Sequence, residues 1–354
     1  MGGEEMFLSM FTYSSLATKV RAMLGHRLTK HDYTELLQKR SVRDVAAYLK
    51  QNTYYKTVLS EINENAIHRG QLEEELKKAL VNDYVKLFKF IRGNVKDFLK
   101  ITFSRYEIED LKLLLRVLNT GEDVHILYDS VVFLKKYNSI DIEKLIESKN
   151  MQQFIENLKG SVYYDILSPF MVNTQYLNLF SIEMSLDMYY FSNIWKQKEK
   201  LLSGRDEDFI THSLGSEIDI LNILWIYRCK KYYNTPKEII YSYVIPHRYK
   251  LSRAQLMSMV EARDAEEVKN IIYTTKYSEI FKSNDVYSFE HNFTYYVYRL
   301  NEYSVRNNPF SIASLMAYLH LKEIEIRNII SVIEGIRYQL QPEQIKKYLV
   351  YGEK

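Results

Sequence analysis

The sequence predicts an all-α protein that uses one helical unit three times, and three observations predict it. Breakers are scarce: 11 glycines and 5 prolines punctuate 354 residues, which favours long helices joined by short turns over a β fold. Apolar residues recur at helical spacing, as at Val45 and Leu49, and so define one buried stripe. Finally, a stretch of one design returns: "RSVRDVAAYLKQNTYY" at 40–55, "KNMQQFIENLKGSVYY" at 149–164 and "RDAEEVKNIIYTTKYS" at 263–278. A catalytic motif is rarely needed three times, whereas a structural unit often is.

Within each copy the elements follow in register. Ser41, Asn150 and Asp264 hold the same place and are good N-cap residues, able to accept from an unpaired amide of the first turn. Three positions later, Asp44, Gln153 and Glu267 have the capping-box spacing to reach back to the cap's own amide. Val45, Phe154 and Val268 then match, as do Leu49, Leu158 and Ile272, and Tyr54, Tyr163 and Tyr277 follow as hairpin staples. The helix before each cap also recurs: Tyr33, Leu36 and Leu37 answer Ile142, Leu145 and Ile146, then Leu256, Met259 and Val260. Each copy is therefore an αα-hairpin. Arg40, Lys149 and Arg263 are basic at the end of its first helix. Favourable interaction with the helix dipole accounts for that, at about 0.3–1 kcal/mol each; recognition of an acidic partner is the functional reading.

A second motif accompanies the hairpin. "EIEDLKLLL" starts at Glu107, "EIDILNIL" at Glu217 and "EIEIRNII" at Glu323. Acids in a helix's first turn suit its positive end, so these residues read as architectural. Residues two apart on a helix point about 200° away from each other, so Glu107/Glu109 and Glu217/Asp219 do not read as catalytic dyads. Two of the hairpins follow such a helix, but the hairpin at 28–55 has none before it and Glu323 has no hairpin after it. Joining the ends repairs both gaps: the C-terminal helix packs beside the N-terminal hairpin. The repeat spacing is about 110 residues, far longer than the roughly 34-residue helical solenoid. The expected organisation is three similar helical bundles around a pseudo-threefold axis: 1–68 with 285–354, then 69–175, then 176–284.

Composition bounds the function. A net charge of +3 without a basic block gives no reason to expect a nucleic-acid partner. A single cysteine, Cys229, excludes an intrachain disulfide and a cysteine-based zinc site, and fits a reducing compartment. The start "MGGEEMFLSMF" has acids where a signal peptide needs bases, and Met6 holds the Ser/Thr position of the myristoylation pattern. No apolar run reaches membrane-spanning length. No P-loop, dinucleotide fingerprint or nucleophile elbow occurs, and the eight histidines never fall at H-x-x-x-H spacing. "KQKEK" at 196–200 reads as a solvated helix face, and Cys229 as a partly buried bystander.

Several of these segments carry a family resemblance. "YSSLATKVRAMLGHRLTKHDYTELLQKRSVRDVAAYLKQNTYY" resembles the N-terminal region of the C subunit of prokaryotic V/A-type ATPases, which is related to the d subunit of the eukaryotic vacuolar enzyme. "AIHRGQLE", "EIEDLKLLLRVL", "EIDILNILWIYRCKKYY" and "LKEIEIRNIISVIEGI" are also similar to that pattern, in order and over nearly the whole chain. The middle unit departs most: Lys149 stands where the others have arginine, and Lys112 answers Asn222 and Asn328. The resemblance implies a funnel-shaped, all-helical, non-catalytic protein without metal or cofactor. One copy would join the central shaft, made of a coiled-coil and a small globular subunit, to the membrane ring of proteolipid helices on its cytoplasmic face. It would turn with the rotor. Arg40, Lys149 and Arg263 are the candidate partner contacts, on the expectation that the hairpin turns face the partners. The rival reading is a helical-repeat adaptor that takes a partner helix in a concave surface.

Overall fold

The structure, a computed structural model, describes residues 2–64, 66–121, 131, 133, 140–172, 179–282 and 286–352. All regular structure among them is helical. In chain order the helices are α1 (Gly2–Leu24), α2 (Lys30–Leu37), α3 (Val42–Asn52), α4 (Arg69–Phe88), α5 (Gly93–Thr120), α6 (Ile142–Ile146), α7 (Met151–Asn157), α8 (Val162–Leu167) and α9 (Pro169–Val172). They continue with α10 (Leu179–Leu201), α11 (Gly204–Tyr232), α12 (Lys237–Tyr243), α13 (Arg253–Glu261), α14 (Ala265–Ile272), α15 (Val286–Asn307), α16 (Ile312–Arg337) and α17 (Pro342–Lys346). The chain forms two compact units, Met1–Lys96 with Ser283–Lys354, and Asp97–Lys282. The second carries two of the three hairpins, α6–α7 and α13–α14. The expected boundaries at 175/176 and 284/285 lie outside the described residues.

In the first unit α16 is the central element. Ile312, Leu315, Leu319, Ile326, Ile329 and Ile333 are all buried, as are Ala313, Ala317 and Tyr318 on its remaining sides. A helix apolar all round must be enclosed, and α1, α3, α4, α15 and α17 pack on it. At Gly335 the approach is close: a Cβ there would run into Ile345 Cγ1 of α17. In the second unit α11 has the corresponding place, contacted by α10, α12, α13 and α14. Gly215 lets it meet Tyr249: a Cβ there would lie 2.6 Å from the Tyr249 Cβ.

The three long helices end alike. Gly121, Asn234 and Gln339 take φ of +74°, +44° and +56° just beyond α5, α11 and α16, the left-handed conformation that closes a helix. Their starts differ from the sequence expectation. Glu107, Glu217 and Glu323 are not first-turn acids; each stands mid-helix, in α5, α11 and α16. No proline lies within these helices ahead of the acids, so the helices run on upstream. Gly215 in "SLGSEID" has the look of a helix boundary but answers to packing against Tyr249.

Candidate partner-binding turns and the carboxylates behind them

Each hairpin turn is built from the same backbone bonds. Ser41 Oγ, Asn150 Oδ1 and Asp264 Oδ1 accept from the amides of Asp44, Gln153 and Glu267 at 3.1, 2.8 and 2.9 Å. The reciprocal bond goes one residue further back than the capping-box spacing suggests. Asp44, Gln153 and Glu267 accept from the amides of Arg40, Lys149 and Arg263, at 3.3, 2.9 and 2.9 Å, and not from the cap itself. A carboxylate or amide at this position therefore closes a wider ring around the turn. Behind the turn, Val45, Phe154 and Val268 are buried, as are Leu49, Leu158 and Ile272. Each such side chain contributes about 1.5–3 kcal/mol on burial, so the turns stand on firm footings.

The basic residues do not cap the first helix. α2, α6 and α13 end at Leu37, Ile146 and Glu261, so Arg40, Lys149 and Arg263 directly precede the N-cap of the second helix. A cation there faces the positive end of a helix, an arrangement worth about 0.3–1 kcal/mol in the wrong direction. The bond common to all three is made by the backbone amide. The side chains are exposed; that of Arg263 is 88% exposed and lies beside Glu267, with Nε 3.2 Å from its carboxylate. The Arg263 amide and then its guanidinium hold the Glu267 carboxyl below the ordinary glutamate value.

A second repeated device lies beneath the turns. In the first unit, Glu325 of α16 accepts from the Tyr55 hydroxyl at 2.8 Å, from the Leu28 amide at 2.7 Å and from Lys322 Nζ at 2.7 Å. In the second unit, Asp219 of α11 accepts from the Tyr277 hydroxyl at 2.8 Å and from the amides of Tyr249, Lys250 and Leu251 at 3.0, 2.6 and 2.9 Å. Leu28 and Leu251 each precede the N-cap of a hairpin's first helix, Thr29 and Ser252. The same carboxylate thus ties a hairpin's entry to its exit. One turn on, Asn222 and Asn328 bind both backbone groups of a passing residue. Asn222 takes Ile245 at 2.8 and 3.1 Å, and Asn328 takes Val350 at 2.9 and 2.7 Å.

The α6–α7 hairpin is the variant. Its tyrosine, Tyr163, donates to Glu107 at 2.7 Å, from a motif position ahead of those held by Asp219 and Glu325. Lys112, at the asparagine position, is buried and binds Glu109 at 3.1 Å and Asp187 of α10. Burial pushes the Glu107 carboxyl above its ordinary value, against the opposing bond from Tyr163. A carboxyl raised on folding takes up protons more readily in the native state. Its favourable term is complete below the unfolded glutamate range and is lost as pH rises through the folded value. Glu107→Gln keeps an acceptor for Tyr163 and removes that loss. Its urea midpoint is expected to match the parent in acid and to exceed it above about pH 5, just past the ordinary glutamate range.

Other sequence readings need amendment. The staple tyrosine of the first copy is Tyr55, which is buried, and not Tyr54; Tyr54 instead stacks on His26 with centroids 4.4 Å apart. The first copy holds one more residue before its tyrosine than the other two. The signal that finds it is a hydroxyl residue two positions ahead: Thr53 for Tyr55, Ser161 for Tyr163, Thr275 for Tyr277. "KQKEK" is not wholly solvated, because Lys198 is buried with Nζ 2.7 Å from Thr211 Oγ1 and 4.3 Å from the Trp195 ring centre. Cys229 is fully buried. Among the described residues no cluster of three or more His, Cys, Asp or Glu could hold a metal ion, and no helix is long and apolar enough to cross a membrane.

Comparison with known proteins bears on what these surfaces serve. The model of one family, described as ATP synthase (C/AC39) subunit, matches residues 16–348. A protein of Methanocaldococcus jannaschii, named as the C subunit of an A-type ATP synthase, is 23% identical over 98% of this chain and 88% of its own length. Proteins of the same name from Methanosphaera stadtmanae and Methanosarcina acetivorans are each 24% identical. They match 97% and 96% of this chain, and 89% and 92% of their own lengths.

Proposed function

Because the chain belongs to the ATP synthase (C/AC39) subunit family, we propose that it is the coupling subunit of an A-type rotary ATPase. It joins the central shaft to the proteolipid ring, turns with them and carries torque for ion transport without bond chemistry of its own. It is peripheral on the cytoplasmic face, in one copy per complex. The three hairpins, each with a long helix behind it, form three bundles about a pseudo-threefold axis, and the funnel between them receives the shaft.

The observation that carries the contact assignment is the threefold recurrence of an exposed cation at a helix's unfavourable end. Arg40, Lys149 and Arg263 serve their own turns through backbone amides, and among the described residues only Arg263 adds a side-chain bond, an exposed one, to Glu267. A charge that gains so little locally has its use outside the chain, and an acidic partner surface supplies it. Such rim charges steer and orient association. Ser41, Asp44, Asn150, Gln153, Asp264 and Glu267 fix the turns that present them.

Reversal of Arg40, Lys149 and Arg263 to glutamate is expected to weaken binding to the purified shaft subunits about tenfold or more, a tenfold loss being about 1.4 kcal/mol. The circular dichroism and thermal midpoint of the isolated chain should not change. Undiminished affinity would remove the turns from the interface. Failure of the unaltered chain to bind either shaft or ring would overturn the coupling role itself.

A further inference from the structure

The first unit holds a cavity of about 770 Å³ between the segment after α1, helix α15 and Tyr351–Gly352. Its volume falls in the range of small-molecule sites, roughly 300–1,000 Å³. Four cations line it, Arg27, Lys30, Arg299 and Arg306, against one carboxylate, Glu302. That carboxylate is already engaged. It accepts from Arg27 Nη1 at 2.6 Å, from Arg306 Nη2 at 3.2 Å and from the Tyr298 hydroxyl at 3.1 Å. Arg299 and Lys30 are exposed and form no ion pair among the described residues. Arg299 and Arg306 are seven apart on α15 and so share one face, with the 63%-exposed Tyr303 between them. Leu24, Val305 and the Tyr351 ring add apolar wall.

Four cations and one carboxylate leave a surplus of three positive charges in a concave site, where low-dielectric walls concentrate the field. Three of the four are arginines, whose planar forks suit oxyanions. We propose that this cavity binds a small polyphosphate ester of the nucleoside diphosphate class. Arg299, Arg306 and Lys30 take the phosphates, and the organic part lies against Tyr303 and the apolar wall. A diphosphate carries about the charge that the site lacks. This assignment goes beyond the coupling role and does not rest on it.

Calorimetric titration of the full chain at fixed ionic strength tests it, with ADP, inorganic pyrophosphate and adenosine as probes. ADP and pyrophosphate are expected to bind saturably and adenosine not at all. Arg299→Ala should weaken ADP binding about tenfold, the size of one lost charge-assisted hydrogen bond, with an unchanged thermal midpoint because that side chain has no ion-pair partner among the described residues. Arg43→Ala, an exposed arginine outside the cavity, should leave binding as it was. Absence of saturable ADP binding into the millimolar range would overturn the proposal. So would equal weakening by Arg43→Ala, which would mark diffuse attraction to a basic surface.

Discussion

Replacement of Asp219 by asparagine is expected to destabilise the second unit by about 3 kcal/mol, the scale of losing hydrogen bonds to a charged group together with leaving a buried donor unpaired. Oδ1 accepts one backbone amide, from Tyr249, and Oδ2 accepts those of Lys250 and Leu251 together with the Tyr277 hydroxyl. Asn carries a single acceptor oxygen, so in either orientation its NH₂ group faces donors. The residue is fully buried, and water cannot take over. Tyr277→Phe removes only one of these bonds and should cost about 1 kcal/mol. Chemical denaturation of the two variants separates the cases, and a loss at Asp219 no larger than at Tyr277 would show that the backbone amides find other acceptors.

Glu325→Ala should be worse, at about 3–5 kcal/mol, because it strands a buried charge. Lys322 lies one turn back with its side chain 4% exposed. Its Nζ is 2.7 Å from Glu325 and 3.9 Å from the Tyr55 ring centre. Removing the carboxylate leaves the ammonium unpaired and frees the Leu28 amide and the Tyr55 hydroxyl at once. The double variant Lys322→Met with Glu325→Leu removes both charges and should recover much of the loss, since apolar replacement of a whole buried pair is often neutral. Equal instability of the single and double variants would mean that the two lost donors, and not the stranded cation, set the cost.

The hairpins were legible because their determinants are local. A cap at Ser41, Asn150 or Asp264 and an apolar residue four further on leave a pattern within one short stretch. The carboxylate network was half legible. "EID" and "EIE" stand out at 217 and 323, but whether an acid opens a helix or sits buried in its middle depends on what packs across from it. Asp219 is met by amides about thirty residues away, and Glu325 by one almost three hundred away. Periodicity carries no trace of such partners. Asn222 and Asn328 were visible as a matched pair, yet their use in gripping Ile245 and Val350 depends on where a distant segment passes. The basic turn residues show the opposite case: their position was plain in the sequence, and only the helix bounds showed that their charge is not spent on capping.

The bonds from Glu325 to Leu28 and from Asn328 to Val350 also set an order of events during synthesis. Residues 97–282 contain both partners of every Asp219 and Asn222 tie and can condense while the ribosome is still at work. The N-terminal hairpin cannot: its clasp is translated nearly three hundred residues later, and Val350 later still. For that interval α3 lacks the α16 face on which it packs in the finished chain, so the first unit closes only after the whole second unit has been made.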